Sequence, residues 1–397
     1  MIRNKDIIIV GQQPWDVEIG SNCKNIALEM SRYNRVLYVN SPLDRITLFK
    51  QKSTPAVQKR LQVIKGKTSG LIKLQDNLWT YYPDTIIESI NWLKFDGIYT
   101  WLNKLNNKRF ANSIKKAVDQ LGFKDFVLFN DNDMFRCFYL QELLKPEISI
   151  YYVRDFMLAV DYWKLHGTTL EPALIKKSDL CVANSTYLAD YCRQYNANSF
   201  YVGQGCELEI FTGYDYKKSA PVDITNIHKP VIGYVGALQS IRLDIELIKY
   251  IAQQRPDWSI VLVGPEDEIF KQSELHNLSN VHFLGPKSPD MLPDYIAAFD
   301  ICINPQLVNP VTIGNYPRKI DEYLAMGKPV IATRTDAMSV FAEHTYLCDN
   351  KEDYVTAIDQ ALKDNSPAKR TDRIAFASAH TWENSVKEIY DAIDAVK

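Results

Sequence analysis

Thirteen short apolar runs, each three to seven residues long and separated by amphipathic segments, set the strongest limit on what this chain can become. In the first half they are Asp6 to Val10, Arg35 to Asn40, Leu78 to Pro83, Asp125 to Asn130, Ile148 to Arg154, Asp179 to Asn184 and Phe200 to Val202. In the second they are Val231 to Val235, Trp258 to Val263, Val281 to Leu284, Asp300 to Asn304, Pro329 to Thr333 and Tyr346 to Cys348. Strands buried on both faces read as continuous apolar runs, and helices between them are what a parallel sheet requires. Each half also opens alike, with an apolar strand, a glycine, a polar loop and an amphipathic helix, at IIIVGQQPWDVEIGSNCKNIALEM and again at VIGYVGALQSIRLDIELIKYIAQQ. The expected fold is α/β, with two doubly wound Rossmann-like domains.

The joint is expected between Phe211 and Pro230, where Gly213, Ser219, Pro221 and Asp223 break all periodicity. That gives domains at 1–215 and 216–379, followed by an amphipathic helix over about 380–397. Ligands of such sheets lie beyond the carboxyl ends of the strands, so two facing domains would share one cleft.

With 397 residues, 46% of them hydrophobic, the chain can fill two cores, and a net charge of −2 argues against a general nucleic-acid binder. The seven cysteines form no C-x-x-C pair and no zinc-like grouping with the six histidines, so they read as reduced thiols of a cytoplasmic protein with no encoded metal site. No stretch of some 18 apolar residues occurs, and the N-terminal run is only four residues long, so the expectation is a chain neither secreted nor membrane-spanning. Neither strand-loop-helix carries G-x-G-x-x-G; Gly66-Lys67-Thr68 would need a glycine where Leu61 stands; no G-x-S-x-G or H-E-x-x-H is present.

The most informative stretch is Asn304 to Thr333, NPQLVNPVTIGNYPRKIDEYLAMGKPVIAT. Pro317 suits the first position of a helix, and Gly327 with Pro329 ends it. Lys319 and Glu322, three apart, share a face of that helix. A lysine in the first turn suits a phosphate, and a carboxylate one turn deeper suits the two hydroxyls of a ribose; on spacing alone such a pair is more often a solvated salt bridge.

The Pro-x-Lys-x-x-Glu-Tyr helix, the Gly-Lys-Pro-Val that follows and the buried strand resemble the donor-binding segment of GT-B glycosyltransferases of the glycogen-synthase-like superfamily. The resemblance implies that Lys319 meets the diphosphate and Glu322 the ribose. Relatives often carry a second glutamate eight positions earlier, where this chain has Gly314. It further implies a phosphate contact for Arg242, beyond Gly236, although relatives frequently add a basic residue where Ala237 stands; Arg242 is otherwise a solvated residue near a helix start. Asp244 reads as a first-turn helix acid. The turn from Phe283 to Lys287 corresponds to the family's base pocket, with Lys287 equally readable as a loop lysine.

Thr312, Gly314 and Asn315, in the loop feeding the donor helix, are candidates to touch the β-phosphate and sugar. In the first domain Arg154-Asp155 stands where relatives have His-Asp; Asp155 is a candidate general base, or else the partner of Arg154 or a helix cap. Gly20, Ser21 and Asn22, preceded by Trp15 and Asp16, fall where relatives approach the transferred sugar. VGQGCELEIF resembles the family's V-P-N-G-V-D-x-x-x-F segment, and the C-terminal helix is expected to cross back onto the first domain.

The resemblance, strongest over 200–335, points toward bacterial cell-surface polysaccharide enzymes of the teichuronic acid type. It implies transfer of a sugar from a nucleotide sugar, UDP-linked, to a hydroxyl of a polysaccharide or lipid-linked acceptor, with neither cofactor nor metal. A non-hydrolysing nucleotide-sugar epimerase and a noncatalytic sugar-nucleotide-binding protein would share this architecture.

Charge is unevenly spread. From Arg45 to Lys124 there are fifteen basic and five acidic residues, a net +10, so the remainder carries −12. Within that segment Trp92, Phe95, Tyr99 and Trp101 suit a helix in a membrane interface, giving peripheral contact with an anionic membrane; alternatively these aromatics pack in the core. The expected location is cytoplasmic, at the inner face of the membrane.

Overall fold

In the computed structural model, which describes residues 2–17 and 20–397, each of the thirteen apolar runs is a strand in a parallel pairing. Two compact units result, Met1–Gly203 with Ser385–Lys397, and Gln204–Asn384.

The first unit contains β1 (Asp6–Val10), β2 (Arg35–Val39), β3 (Leu71–Gln75), β4 (Leu78–Tyr81), β5 (Val127–Asp131), β6 (Ile148–Val153), β7 (Leu180–Ala183) and β8 (Ser199–Tyr201). Their order across the sheet is β8-β7-β6-β5-β1-β2-β4-β3, parallel except where β3 joins antiparallel at the edge. One face packs Ile8, Val10, Leu37 and Leu128 against Phe110, Ala111 and Ile114 of the helix Asp96–Leu121. The other packs Tyr151, Val153 and Cys181 against Leu174, Ile175 and Leu188. Burying each such side chain contributes on the order of 1.5–3 kcal/mol, which is why these runs are mostly apolar and why the polar residues inside them are small and buried, as at Thr80 and Ser149.

The second unit contains β9 (Val231–Val235), β10 (Ser259–Val263), β11 (Val281–Gly285), β12 (Ile301–Asn304), β13 (Val330–Thr333) and β14 (Tyr346–Cys348), ordered β11-β10-β9-β12-β13-β14 and wholly parallel. This is the doubly wound order in which the chain reverses direction beside the first strand, so the crevice for a ligand lies between the loops that follow β9 and β12. Alternate residues of β9 bury on opposite faces: Ile232 and Tyr234 with Leu247, Ile248 and Ile251, Val231 and Val235 with Ile320, Tyr323 and Leu324.

The expected joint at 215/216 is displaced to Gly203/Gln204. The cause is packing: Cys206, Leu208 and Phe211 are buried in the second unit's core, so the chain has changed units before the polar stretch begins. The last helix, Trp382–Val396, starts in the second unit, and from Ser385 onward the chain belongs to the first, where the Asn34 amide donates to the Tyr390 hydroxyl at 2.8 Å. All seven cysteines are buried and unpaired. Among the described residues, no helix is long and apolar enough to cross a membrane.

Candidate active site

The helix that carries Lys319 and Glu322 runs from Lys319 to Ala325, two residues shorter at its start than the proline suggests. Pro317 and Arg318 instead form a tighter turn in which the Ile320 N–H donates to the Pro317 carbonyl at 2.9 Å. Its end follows the sequence signal: Gly327 has φ +67°, its N–H reaches Leu324 O at 2.8 Å, and Lys328 N–H reaches Tyr323 O at 3.0 Å. This pair of bonds satisfies the last carbonyls and needs the left-handed conformation that glycine adopts without strain.

Two side chains moor the helix. The Val235 N–H at the end of β9 donates to the Tyr323 hydroxyl at 2.8 Å. Asp321, fully buried on the face away from the crevice, holds His380 Nδ1 at 2.6 Å and accepts from the Cys206 thiol at 3.3 Å. Lys319 and Glu322 are left to the other side.

There they line a cavity of about 420 Å³ at the reversal point of the sheet, together with Tyr234, Gly236, Arg242, Asn304 and Asn315. Gly236 has φ +142°, a backbone conformation that a side chain would strain, and a Cβ there would also press on the Tyr234 hydroxyl at 3.0 Å and Lys319 Cε at 3.2 Å. The lysine stem crosses this glycine, and its Nζ lies 5.0 Å from the Tyr234 ring centroid. Lys319 and Glu322 do not form a salt bridge, and neither they nor Arg242 have an ion-pair partner among the described residues. Burial pushes the Glu322 carboxyl above its ordinary range, against the opposing pull of the Arg318 and Lys319 charges. Two further donors at this cavity are buried without acceptors, Asn304 Nδ2 and Arg318 Nε. Unsatisfied buried donors and unpaired cations are what an anionic ligand would complete.

The loops around the cavity are stitched together. Leu307 N–H donates to Arg242 O at 2.8 Å, Asn309 Nδ2 to Ile241 O at 2.9 Å, and Gln306 Nε2 to Thr312 O at 2.9 Å. Thr312 lines the cavity, but its hydroxyl donates to the Leu307 carbonyl and accepts from Asn309 N–H at 3.1 Å, which makes it a brace of the loop. Gly314 is buried and is not among the lining residues.

Asp244 caps the next helix, accepting from Leu247 N–H at 2.9 Å, one position earlier than a first-turn acid. Phe283 and Lys287 lie outside this cavity. Phe283 stacks on His276 with centroids 3.9 Å apart, and Lys287 pairs with Asp223 at 2.7 Å.

In the first unit the corresponding reversal lies between β1 and β5. Asp131, completely buried, accepts from Gln12 N–H at 3.1 Å and from Arg154 Nε at 2.9 Å. Arg154 also donates to Asp155 at 2.8 Å, so one guanidinium serves two carboxylates, and the Asp131 charge raises its affinity for the proton still further. Ser21 caps the helix Asn22–Ser31, accepting from Lys24 N–H at 3.2 Å, while the Asn22 amide donates to the Tyr152 hydroxyl at 3.3 Å and Gly20 is exposed. Asp16 pairs with Lys59 at 3.0 Å; burial raises its carboxyl, but bonds from Lys59 and Tyr82 leave it lowered.

The aromatic segment divides. Tyr99 is buried, stacked on His166 at 3.5 Å, whereas Trp92, Phe95 and Trp101 are 67%, 71% and 66% exposed. The helix begins only at Asp96, so Trp92 and Phe95 stand on the turn before it. Among the described residues no group of three or more His, Cys, Asp and Glu side chains is placed to hold a metal ion.

Sequence reasoning missed Asn304, Tyr316 and Arg318 at the cavity. Asn304 and Arg318 were visible only as a polar residue closing an apolar run and a second cation beside Lys319.

Residues 229–364 match the family described as Glycosyl transferases group 1. The chain is 31% identical over 209 residues to the Bacillus subtilis (strain 168) protein TuaH, assigned as a teichuronic acid biosynthesis glycosyltransferase. That match covers 49% of this chain and 51% of the relative, so it spans about half the length of TuaH. Among solved structures, sucrose-phosphate synthase (tll1590) from Thermosynechococcus elongatus superposes with TM-score 0.67 at 15% identity, covering 99% of this chain and 100% of that one. Anabaena Alr3699/HepE in complex with UDP and glucose superposes with TM-score 0.60 at 17% identity, over 98% of this chain and 99% of that one. A trehalose-6-phosphate structure from E. coli bound with UDP-2-fluoro glucose gives 0.65 at 12% identity, over 98% and 99%. The fold is therefore that of the GT-B structures, two Rossmann-like units in one chain.

Proposed function

We propose, from the premise that residues 229–364 form a Glycosyl transferases group 1 domain, that this chain transfers a sugar from a UDP sugar to a hydroxyl of a cell-surface polysaccharide or lipid-linked acceptor. The observation that carries the reading is the set of three unpaired charges, Arg242, Lys319 and Glu322, around one cavity at the reversal point of the second sheet. Lys319 and Arg242 neutralise the diphosphate, which is the leaving group, and the buried setting makes that stabilisation stronger than it would be in water. Glu322 accepts from the ribose hydroxyls, Asn315 lies beside the β-phosphate, and the backbone of Phe283 to Lys287 meets the base. HepE and the E. coli structure, both in complex with UDP compounds, support UDP as the nucleotide. With two cations present the leaving group needs no metal, so activity should survive EDTA.

On the first unit, Asp155 is the general base if the reaction inverts, oriented by Arg154, and Gly20, Ser21 and Asn22 border the sugar. The assignment of TuaH to teichuronic acid biosynthesis supports a cell-envelope acceptor. Exposed Trp92, Phe95 and Trp101, with Lys50, Lys94, Lys104 and Lys108 exposed and without ion pairs among the described residues, support peripheral attachment to an anionic membrane from the cytoplasmic side.

The test is substitution at the donor cavity. Lys319→Ala and Glu322→Ala should each weaken UDP binding roughly tenfold or more, the equivalent of about 1.5–3 kcal/mol for a charge-assisted bond, with the far-UV dichroism unchanged. UDP titrations indistinguishable from wild type in both variants would overturn the reading. Product analysis without acceptor separates transfer from epimerisation of the donor.

A further inference from the structure

A cavity of about 780 Å³ in the first unit is separate from the one that the charged residues surround. Its walls come from the segments that follow four strands: Ile46 after β2, Ile90 and Trp92 after β4, Phe135 after β5, and Trp163 and Leu165 after β6. It therefore opens at the carboxyl ends of the strands, the edge where doubly wound sheets hold their ligands. Continuity with the reversal point is short in the chain, since Arg136 at the cavity wall is ion-paired to Asp133, two residues beyond Asp131.

Several polar groups in the wall are already engaged. Asp44 accepts from Thr47 N–H at 3.0 Å and the Ser89 hydroxyl at 2.6 Å, Glu88 is held by Arg45 at 2.5 Å and Arg109 at 2.9 Å, and the Asn106 amide closes on the Glu88 backbone at 2.8 and 2.9 Å. What the cavity leaves unsatisfied is apolar area, with Phe135 and Trp163 stacked 5.1 Å apart at its side. Beyond the rim stand exposed Phe49 and Phe95 with Lys50 and Lys94, the mixture of aromatic rings and cations found where proteins meet a lipid interface.

We propose that this cavity binds the hydrocarbon chain of the acceptor, so that the acceptor is an amphiphile whose lipid portion is gripped by the protein and whose sugar hydroxyl reaches the Arg154–Asp155 edge. This rests on the transfer reading above, and it narrows the acceptor from any cell-surface glycan to a lipid-linked one. The size is ordinary for a small-molecule site, which lies at about 300–1,000 Å³, and the complementarity is that of aliphatic chain to aromatic and branched walls.

Hexyl, octyl and decyl β-glucosides, titrated calorimetrically below their micellar concentrations, isolate the chain from any charge effect. Each added methylene should tighten binding about threefold to fourfold until the cavity is filled. Ile46→Glu and Leu165→Glu, at positions 45% and 48% exposed and so compatible with folding, should flatten that dependence. Affinity independent of chain length, or a steep dependence untouched by both variants, would overturn the proposal, the latter by showing that hydrocarbon binds elsewhere. UDP titration of the same samples keeps the two readings apart. Chain-length dependence with no UDP binding defeats glycosyl transfer and leaves an amphiphile site, whereas UDP binding with a flat response defeats the cavity alone.

Discussion

Each sheet reverses beside its first strand, and at the two reversal points charge is handled in opposite ways. In the first unit Asp131 is buried completely and matched by Arg154, which also holds Asp155. In the second, Arg242, Lys319 and Glu322 surround a cavity with no partner among the described residues. Matched charges hold the protein's own loops, and unmatched ones await a ligand. The difference is open to a direct break. Arg154→Ala strands a buried carboxylate and should cost about 3–5 kcal/mol in urea unfolding, whereas Lys319→Ala, which breaks no ion pair and gives up only the Tyr234 ring and its pull on Glu322, should cost about 0.5–1 kcal/mol. Equal destabilisation by both would mean that the second cluster is also structural.

A second buried acid sharpens the description of the first unit. Glu171 accepts from Tyr151 at 2.8 Å and Tyr191 at 3.1 Å, and it meets Asn132, whose side-chain oxygen accepts from the N–H groups of Arg154 and Asp155. Burial raises its carboxyl to about 7, against the lowering effect of the two tyrosines. The folded state then keeps a proton that the unfolded state releases near the ordinary glutamate range. Stability from this group is complete at low pH, falls as pH rises toward 7, and is flat beyond. One unit of difference is 1.36 kcal/mol, so the loss should amount to about 3 kcal/mol. Urea unfolding across this range should show the decline in wild type and lose it in Glu171→Gln; a decline that persists in the variant would assign it to another group.

The strands were legible because burial on both sides writes itself as uninterrupted apolar runs. The exceptions are β3, an edge strand exposed from Ile72 to Gln75, and the two-residue strands Leu43–Asp44 and Ile86–Ile87, which pair with each other; at these places nothing forces the pattern. The helix that carries Lys319 and Glu322 was legible from its punctuation, because Gly327 closes it with a bond pattern that needs that residue. What sequence could not carry was the allocation of side chains between ligand and protein. Ser21 and Thr312 read as neighbours of a ligand, and each hydroxyl also accepts a backbone N–H of the protein. Asn304 reads as the end of a strand, and only the assembled loops leave its amide without an acceptor. The apolar cavity is still less visible, because Ile46, Phe135 and Leu165 become neighbours through connections scattered along the first unit.

Lys287 brings the same question to its smallest scale. Like Lys319 it was a candidate to meet the donor, but the two lysines now differ in company. Lys287 pairs with Asp223 at 2.7 Å and lies 5.2 Å from the centroid of the Tyr295 ring, whose hydroxyl donates to the same carboxylate at 2.9 Å. The hydrogen bond to Asp223 raises the lysine's affinity for its proton, the reverse of what a vacant phosphate site waiting for its anion would impose. A pair at the surface is worth about 0.2–1 kcal/mol, because solvent screens the charges and two long side chains must be held still. Lys287→Ala should therefore lower the unfolding free energy by no more than that and leave the UDP dissociation constant unchanged, with Asp223→Ala giving a larger loss because the Tyr295 hydroxyl also loses its acceptor, and the double variant little more than Asp223→Ala. A tenfold weakening of UDP binding in Lys287→Ala alone would instead place its ammonium at the nucleotide, and having a partner in the free protein would no longer separate a structural lysine from a donor-binding one.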